Sequence, residues 1–284
     1  MLRIIRPANL FLILLLQCFA LYNLGEYNYL LSNPSKTIAL LLSTSLIAAG
    51  GYIINDYFDV KIDLINKPQK VFIGSIIARR WAIILHLTAS LLGLFLAWQV
   101  NLKTLGIALF CAVLLYLYST SFKKQFLIGN LIVALLAALS VFICKAYCND
   151  LDPVKVMAYS IFAGWSTFLR EIIKDVEDEK GDALFLSNSL AVNLGLRKTK
   201  KIIFITTILL LAGVLFYPIM IKQLLVMPDL YFWTYTLFLY FGVALPLLLF
   251  TFKLKKADKK NDFTYLSQLL KKIILLGIFS ILLS

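Results

Sequence analysis

The feature that most constrains this chain is a succession of apolar segments, each close to the length needed to cross a bilayer. A transmembrane helix requires about 20 predominantly apolar residues. We count nine such segments, at about 8–30, 36–54, 81–100, 104–118, 128–147, 155–170, 201–221, 230–252 and 269–283. None shows the alternation of barrel strands, and helices satisfy their own backbone groups in lipid. The sequence therefore predicts an all-α, polytopic membrane protein with nine transmembrane helices, forming one domain over residues 1–284.

Composition excludes other classes of protein. Of the 284 residues, 61% are apolar and 15% are charged. A soluble domain is roughly 45–50% apolar and about 25% charged. The chain is therefore not expected to be disordered, a coiled coil or a single soluble core.

The basic residues predict the orientation of the chain. Of its 28 Lys and Arg, 23 lie in or beside the N-terminal tail and the even-numbered connections. Because Lys and Arg favour the cytoplasmic side, we predict an inner-membrane protein with a cytoplasmic N-terminus and an external C-terminus. Membrane orientation and attraction to anionic lipid headgroups explain the net charge of +13 without a nucleic-acid partner.

Two predicted cytoplasmic loops, 55–80 and 171–200, carry nine of the fifteen carboxylates. Each contains the spacing D-x-x-D-x-x-x-D, at Asp56, Asp59 and Asp63 and again at Asp175, Asp178 and Asp182. At about 100° per helical residue, the three carboxylates of each motif fall within roughly 60° of one another. If a motif is helical, it therefore lines one helix face with negative charge.

Such acidic rows require a cation. Like charges at this spacing repel, and carboxylates near the apolar layer are costly and usually functional. Magnesium is commonly held by carboxylates together with substrate phosphate oxygens. The six aspartates are therefore candidate Mg²⁺ ligands for binding a diphosphate, with Asp59 and Asp178 as candidate catalytic residues. The alternative of two solvated loops does not explain the repeated spacing or the apolar residues between the first three aspartates.

Polar and basic residues near the motifs are candidates for contacting the substrate. Lys123 and Lys174 are candidate catalytic and substrate-binding residues that would neutralise an anionic leaving group. The other substrate-binding candidates are Asn55, Lys67, Tyr118 and Arg170. Each basic residue also has a simpler interpretation as an anchor on the cytoplasmic side.

At these residues the chain resembles the UbiA superfamily of intramembrane prenyltransferases. The family pattern N-D-x-x-D-x-x-x-D matches Asn55 to Asp63, and the second aspartate motif matches Asp175 to Asp182. The run from Asn66 is similar to a family N-R-P segment, with Lys67 in place of Arg. The resemblance implies nine helices around a central cavity, magnesium between the motifs, and prenyl transfer from a prenyl diphosphate.

The segment 170–182 most resembles the branch that transfers a geranylgeranyl group to geranylgeranylglycerol phosphate. The resemblance therefore implies a lipid-like acceptor and a site facing the cytoplasm. An aromatic or quinone-precursor acceptor, of the 4-hydroxybenzoate, naphthoate or homogentisate type, is the alternative. A cation transporter is the non-enzyme alternative, but transporters place ionisable groups near the bilayer midplane. Here the carboxylates lie at the predicted helix ends.

Overall fold

A computed structural model describes residues 2–25, 29–66, 68–184, 188–224 and 229–284. Eleven α-helices lie within these ranges, and a π-helical segment (Leu239–Ala244) joins α9 to α10. Their bounds are α1 (Pro7–Asn23), α2 (Tyr29–Ser32), α3 (Pro34–Asn66), α4 (Arg79–Val100), α5 (Leu102–Thr120), α6 (Ile128–Tyr147), α7 (Pro153–Leu184), α8 (Leu190–Leu224), α9 (Asp229–Phe238), α10 (Leu245–Lys256) and α11 (Lys260–Ser280). Helix α8 is interrupted at Gly195, where φ is 71°.

Seven helical segments in the described ranges are long and apolar enough to cross a membrane. They are α3, α4, α5, α6, most of α8, the continuous run from α9 to α10, and α11. Helix α1 is apolar but only 17 residues long, and α7 is not among the seven. The predicted all-α, polytopic membrane class is confirmed, whereas the count of nine membrane crossings stays a prediction.

The two motif helices are longer than the sequence predicted. We expected membrane spans ending at residues 54 and 170, followed by loops. Instead, α3 continues to Asn66 and α7 continues to Leu184, so both motifs lie on helices. No proline or glycine interrupts α3 between Gly51 and its end at Asn66. In α7, none lies between Gly164 and Gly181, which is close to the end of the helix. The helical backbone satisfies its own hydrogen bonds, and each motif is an extension of a bundle helix.

Glycines allow the motif helices to pack closely against their neighbours. A Cβ atom on Gly50 of α3 would lie 3.0 Å from Ser90 Oγ and 3.3 Å from the His86 carbonyl oxygen of α4. His86 Nδ1 lies 3.0 Å from the Gly50 carbonyl oxygen and donates to it. On α7, a Cβ on Gly164 would lie 3.0 Å from the Ala134 carbonyl oxygen of α6. Small residues of this kind let membrane helices approach, and they fix each motif helix against a partner helix.

Candidate active site

Both aspartate motifs line one cavity of about 810 Å³. Helices α1, α3, α5, α6, α7 and α11 contribute its walls. The aspartates that line it are Asp56, Asp59 and Asp63 of α3 and Asp175 and Asp178 of α7. The sequence placed these two rows 119 residues apart, counted from Asp56 to Asp175, and folding brings them to one pocket.

Two predicted residues fall outside what the structure describes. Lys67 lies outside the described residues. The backbone of Asp182 belongs to α7, but its side chain lies outside the described part of the structure. Their assignments, to the substrate and to the metal, stay predictions.

A cation from a distant connection neutralises the centre of the first motif. Asp59 is 5% exposed, and Lys123 donates a hydrogen bond to its Oδ2 atom. Asn55 donates to the same oxygen over 2.8 Å, one helical turn earlier. Burial by itself lowers the pKa of Lys123, but the adjacent Asp59 carboxylate raises it above its usual value. Lys123 therefore stays protonated in the cavity, as its predicted role requires, and Tyr118 lines the same cavity.

Arg6 also lines the cavity, and the sequence reasoning did not single it out. Its guanidinium donates to Asp56 Oδ1 over 2.7 Å and lies 5.0 Å from the centre of the Tyr52 ring. Its φ angle is 50°, in the left-handed region, immediately before Pro7 opens α1. Strained backbone of this kind often marks functional sites. No local pattern distinguished Arg6 from a simple anchor, because its partner lies 50 residues away.

The second motif is organised differently. Lys174 donates to both oxygens of Glu171 over 2.8 Å, and Arg170 lies 3.6 Å from the same carboxylate. Burial raises the pKa of Glu171, but these two cations outweigh it and lower the pKa to about 2. Asn130 of α6, which the sequence reasoning also missed, donates to Asp175 Oδ2 over 2.9 Å. Arg170 and Lys174 line the cavity, and their contact with an anionic substrate stays a prediction.

The oxygen donors present fit a hard divalent cation. Among the described residues, no three Asp, Glu, His or Cys side chains are already grouped as a metal site. The two carboxylate rows nevertheless line one cavity, and the amide oxygen of Asn55 is buried there without a hydrogen-bond partner among the described residues. Carboxylate and amide oxygens are ligands of Mg²⁺ and Ca²⁺. The same cavity holds the cations Arg6 and Lys123, so it also suits an anionic co-ligand.

The fold, the paired carboxylate rows and the basic side chains in one cavity are features that suit an intramembrane enzyme acting on an anionic substrate. The sequence model of the UbiA prenyltransferase family matches residues 12–271. The chain therefore belongs to the UbiA prenyltransferase family, as the resemblance predicted.

Two curated relatives carry the same name. The chain is 40% identical over 167 residues to the digeranylgeranylglyceryl phosphate synthase of Sulfurisphaera tokodaii, covering 58% of this chain and 60% of the relative. It is 39% identical over 171 residues to that of Saccharolobus solfataricus, covering 60% and 61%. The chain thus matches about three fifths of the length of these relatives.

Solved structures share the fold. One comes from a structural study of digeranylgeranylglyceryl phosphate synthase in membranes. It has a TM-score of 0.73 at 24% identity, and the match covers 99% of this chain and 97% of the solved chain. A UbiA homolog from Archaeoglobus fulgidus bound to GPP and Mg²⁺ has a TM-score of 0.70 at 17% identity, with coverages of 99% and 98%. The helical bundle of this chain is therefore the UbiA fold.

Proposed function

We propose that this protein transfers a geranylgeranyl group from its diphosphate to the hydroxyl of geranylgeranylglycerol phosphate and releases diphosphate. The main observation in support of this proposal is that the two aspartate rows line one cavity together with basic side chains. The shared name of the curated relatives supports the choice of donor and acceptor. The basic residues around the motifs support a site that faces the cytoplasm.

The proposed metal ligands are the aspartates of both rows together with the Asn55 amide oxygen. Magnesium held there supplies positive charge that stabilises the departing diphosphate. The Lys123 ammonium beside Asp59 and the hydroxyl of Tyr118 donate to diphosphate oxygens. Lys67 is proposed to contribute a further cation to the same anion.

Arg170 and Lys174 form the proposed second anion contact. Both line the cavity and are held by Glu171. They orient the phosphate of the donor or of the acceptor. Glu171 itself has a pKa of about 2 and is held by two cations, so it is not suited to act as the general base.

The remaining walls of the cavity exclude water from the proposed reaction. In the reaction, the bond between the allylic carbon and the diphosphate oxygen breaks, and the electron pair leaves with the diphosphate. Aliphatic side chains from four helices also line the cavity, among them Leu12, Ile47, Val133 and Ile274. Exclusion of water protects the cationic carbon until the acceptor oxygen bonds to it, and the released diphosphate takes up the proton that the hydroxyl loses. The rings of Tyr52, Phe72 and Tyr118 also line the cavity, and aromatic faces stabilise cations.

Product analysis tests the proposal. Purified protein in lipid nanodiscs is given geranylgeranyl diphosphate and Mg²⁺, with geranylgeranylglycerol phosphate, 4-hydroxybenzoate or a naphthoate in parallel. We expect the digeranylgeranyl ether from the first acceptor, identified by mass spectrometry. If a product forms only with an aromatic acceptor, the acceptor is aromatic and is not geranylgeranylglycerol phosphate. Absence of any prenylated product would contradict the proposed function.

A further inference from the structure

Four cations that line the cavity act on one another. They come from α1, α7 and α11 and are Arg6, Arg170, Lys174 and Lys271, here called the basic cluster. Arg6 and Arg170 act electrostatically on Lys174, and Arg170 also acts on Lys271. The ion pairs already described, to Asp56 and Glu171, engage three of the four cations. The fourth, Lys271, is left without a counter-charge from these pairs.

Lys271 has no carboxylate partner among the described residues. Its ammonium donates a hydrogen bond to the neutral Oδ1 atom of Asn9, in α1, over 3.3 Å. The charged group that acts on it is Arg170, another cation. Helix α11, which carries Lys271, is one of the segments long and apolar enough to cross a membrane. Ionisable residues in such helices are costly and usually functional, so this ammonium indicates a place where an anion binds.

Arg170 offers further hydrogen-bond donors near Lys271. Its Nε atom is buried without a hydrogen-bond partner among the described residues. Its Nη1 atom lies 3.6 Å from Glu171 Oε1, which is beyond hydrogen-bond distance. Guanidinium groups bind phosphate through two parallel N–H donors. Arg170 and Lys271 therefore both have donors available for the oxygens of one phosphate.

Apolar residues continue from Asn9 and Lys271 along the same helix faces. At three and seven residues beyond each of them, the cavity is lined by aliphatic side chains, namely Leu12 and Leu16 in α1 and Ile274 and Ile278 in α11. Residues at these spacings share one face of a helix. A polar, cationic contact is thus followed by two apolar faces. This arrangement suits an amphiphile with an anionic head and a hydrocarbon tail.

The proposed diphosphate site lies elsewhere along α7. Arg170 precedes Asp178 by eight residues, which corresponds to about 12 Å along the helix. The aspartate rows are proposed to bind diphosphate through Mg²⁺, whereas Arg170 and Lys271 need no metal to bind an anion. The cavity can therefore hold two anions at once, one at each place.

We propose that Lys271 and Arg170 bind the phosphate of the acceptor lipid, and that Lys271 selects acceptors that carry a phosphate. This assignment rests on the proposed function, which it narrows by giving Arg170 to the acceptor and not to the donor. Asn9 is a positioning residue, because it holds the Lys271 ammonium by accepting its hydrogen bond. The acceptor's tail lies along the apolar faces of α1 and α11.

Two lipids that differ only in the phosphate test this proposal by binding. Geranylgeranylglycerol phosphate and geranylgeranylglycerol are titrated onto the purified protein in detergent, with EDTA and without donor. We expect the wild type to prefer the phosphate. Lys271→Met should weaken binding of the phosphate about tenfold, since one charge-assisted hydrogen bond is lost, and should leave binding of the neutral lipid unchanged.

Two further variants serve as controls. Lys272→Met removes the same charge from the next residue, which is exposed and does not line the cavity. It should bind both lipids as the wild type does. Lys271→Arg keeps the charge and should retain the preference for the phosphate. Equal binding of the two lipids by the wild type, or a Lys271→Met variant that behaves like Lys272→Met, would overturn the proposal.

Steady-state kinetics then separates the acceptor from the donor. Lys271→Met should raise KM for geranylgeranylglycerol phosphate about tenfold and leave KM for geranylgeranyl diphosphate near the wild-type value. An increase in the donor's KM alone would overturn the proposal and assign Lys271 to the diphosphate. If the wild type transfers no prenyl group to any acceptor, the proposed function fails. The binding comparison, which needs neither donor nor metal, still decides whether Lys271 recognises the phosphate.

Discussion

The two aspartate motifs have the same spacing but different electrostatic surroundings. In the first, Asp56 and Asp59 pair with Arg6 and Lys123, which lie 50 and 64 residues away in the chain. In the second, Glu171 pairs with Lys174 on the same helix, and Asp175 accepts from a neutral amide. Asp56 and Asp59 therefore meet these cations only when the bundle has assembled, whereas Glu171, four residues before Asp175, has its counter-charges on its own helix.

The largest effect is expected from removing the metal, on which both rows depend equally. EDTA should abolish prenyl transfer, and added Mg²⁺ should restore it, because diphosphate without a cation faces two rows of carboxylates. Activity is measured by release of diphosphate before and after each addition. Undiminished turnover in EDTA would show that the reaction needs no divalent metal and that the two motifs do not share a metal-binding role.

Loss of one central aspartate from either row should be nearly as severe. We expect Asp59→Ala and Asp178→Ala each to lower kcat/KM by roughly 10²–10³-fold, as for loss of a preorganised electrostatic group. Both variants should still insert into membranes. Asp258→Ala is the control, since Asp258 is largely exposed and pairs with Lys200 outside the cavity. Wild-type turnover in either motif variant would show that its row is dispensable.

Removing Lys123 beside the first motif should lower the free energy of unfolding more than removing Lys174 beside the second. Lys123→Met leaves the buried Asp59 without its cation, at a cost of about 1–3 kcal/mol in the free energy of unfolding. Lys174→Met should cost less, because Arg170 remains 3.6 Å from Glu171. Thermal unfolding in detergent measures both. Equal losses, or a larger loss for Lys174→Met, would contradict the contrast between tertiary and local neutralisation.

The smallest effect is expected at Arg6. Its ion pair with Asp56 is partly exposed, so Arg6→Gln should lower stability by about 1 kcal/mol or less. Its effect on kcat/KM should be about tenfold, because only one electrostatic contact in the cavity is lost. Arg80→Gln, at an exposed position, is the matched control. An Arg6 variant that behaves like this control would place Arg6 outside the site.

The sequence predicted the fold class and much of the site because its signals are local. Apolar runs identify membrane helices, and the aspartate spacing identifies each row without reference to the rest of the chain. The motif helices were predicted too short, since charged residues ended the apolar runs while the helical backbone continued to Asn66 and Leu184. Arg6 and Asn130 were missed because each contacts an aspartate about 45–50 residues away, and nothing in the local sequence encodes that contact.

The central claim is that both rows hold one metal-bound diphosphate. The most direct test is a double-mutant cycle on the affinity for geranylgeranyl thiodiphosphate with Mg²⁺, measured for the wild type, Asp59→Ala, Asp178→Ala and the double variant. If the rows share one ligand, the two losses should be strongly non-additive, because either variant alone already dismantles the site. Losses that simply add, or an affinity that one variant leaves unchanged, would contradict a shared site.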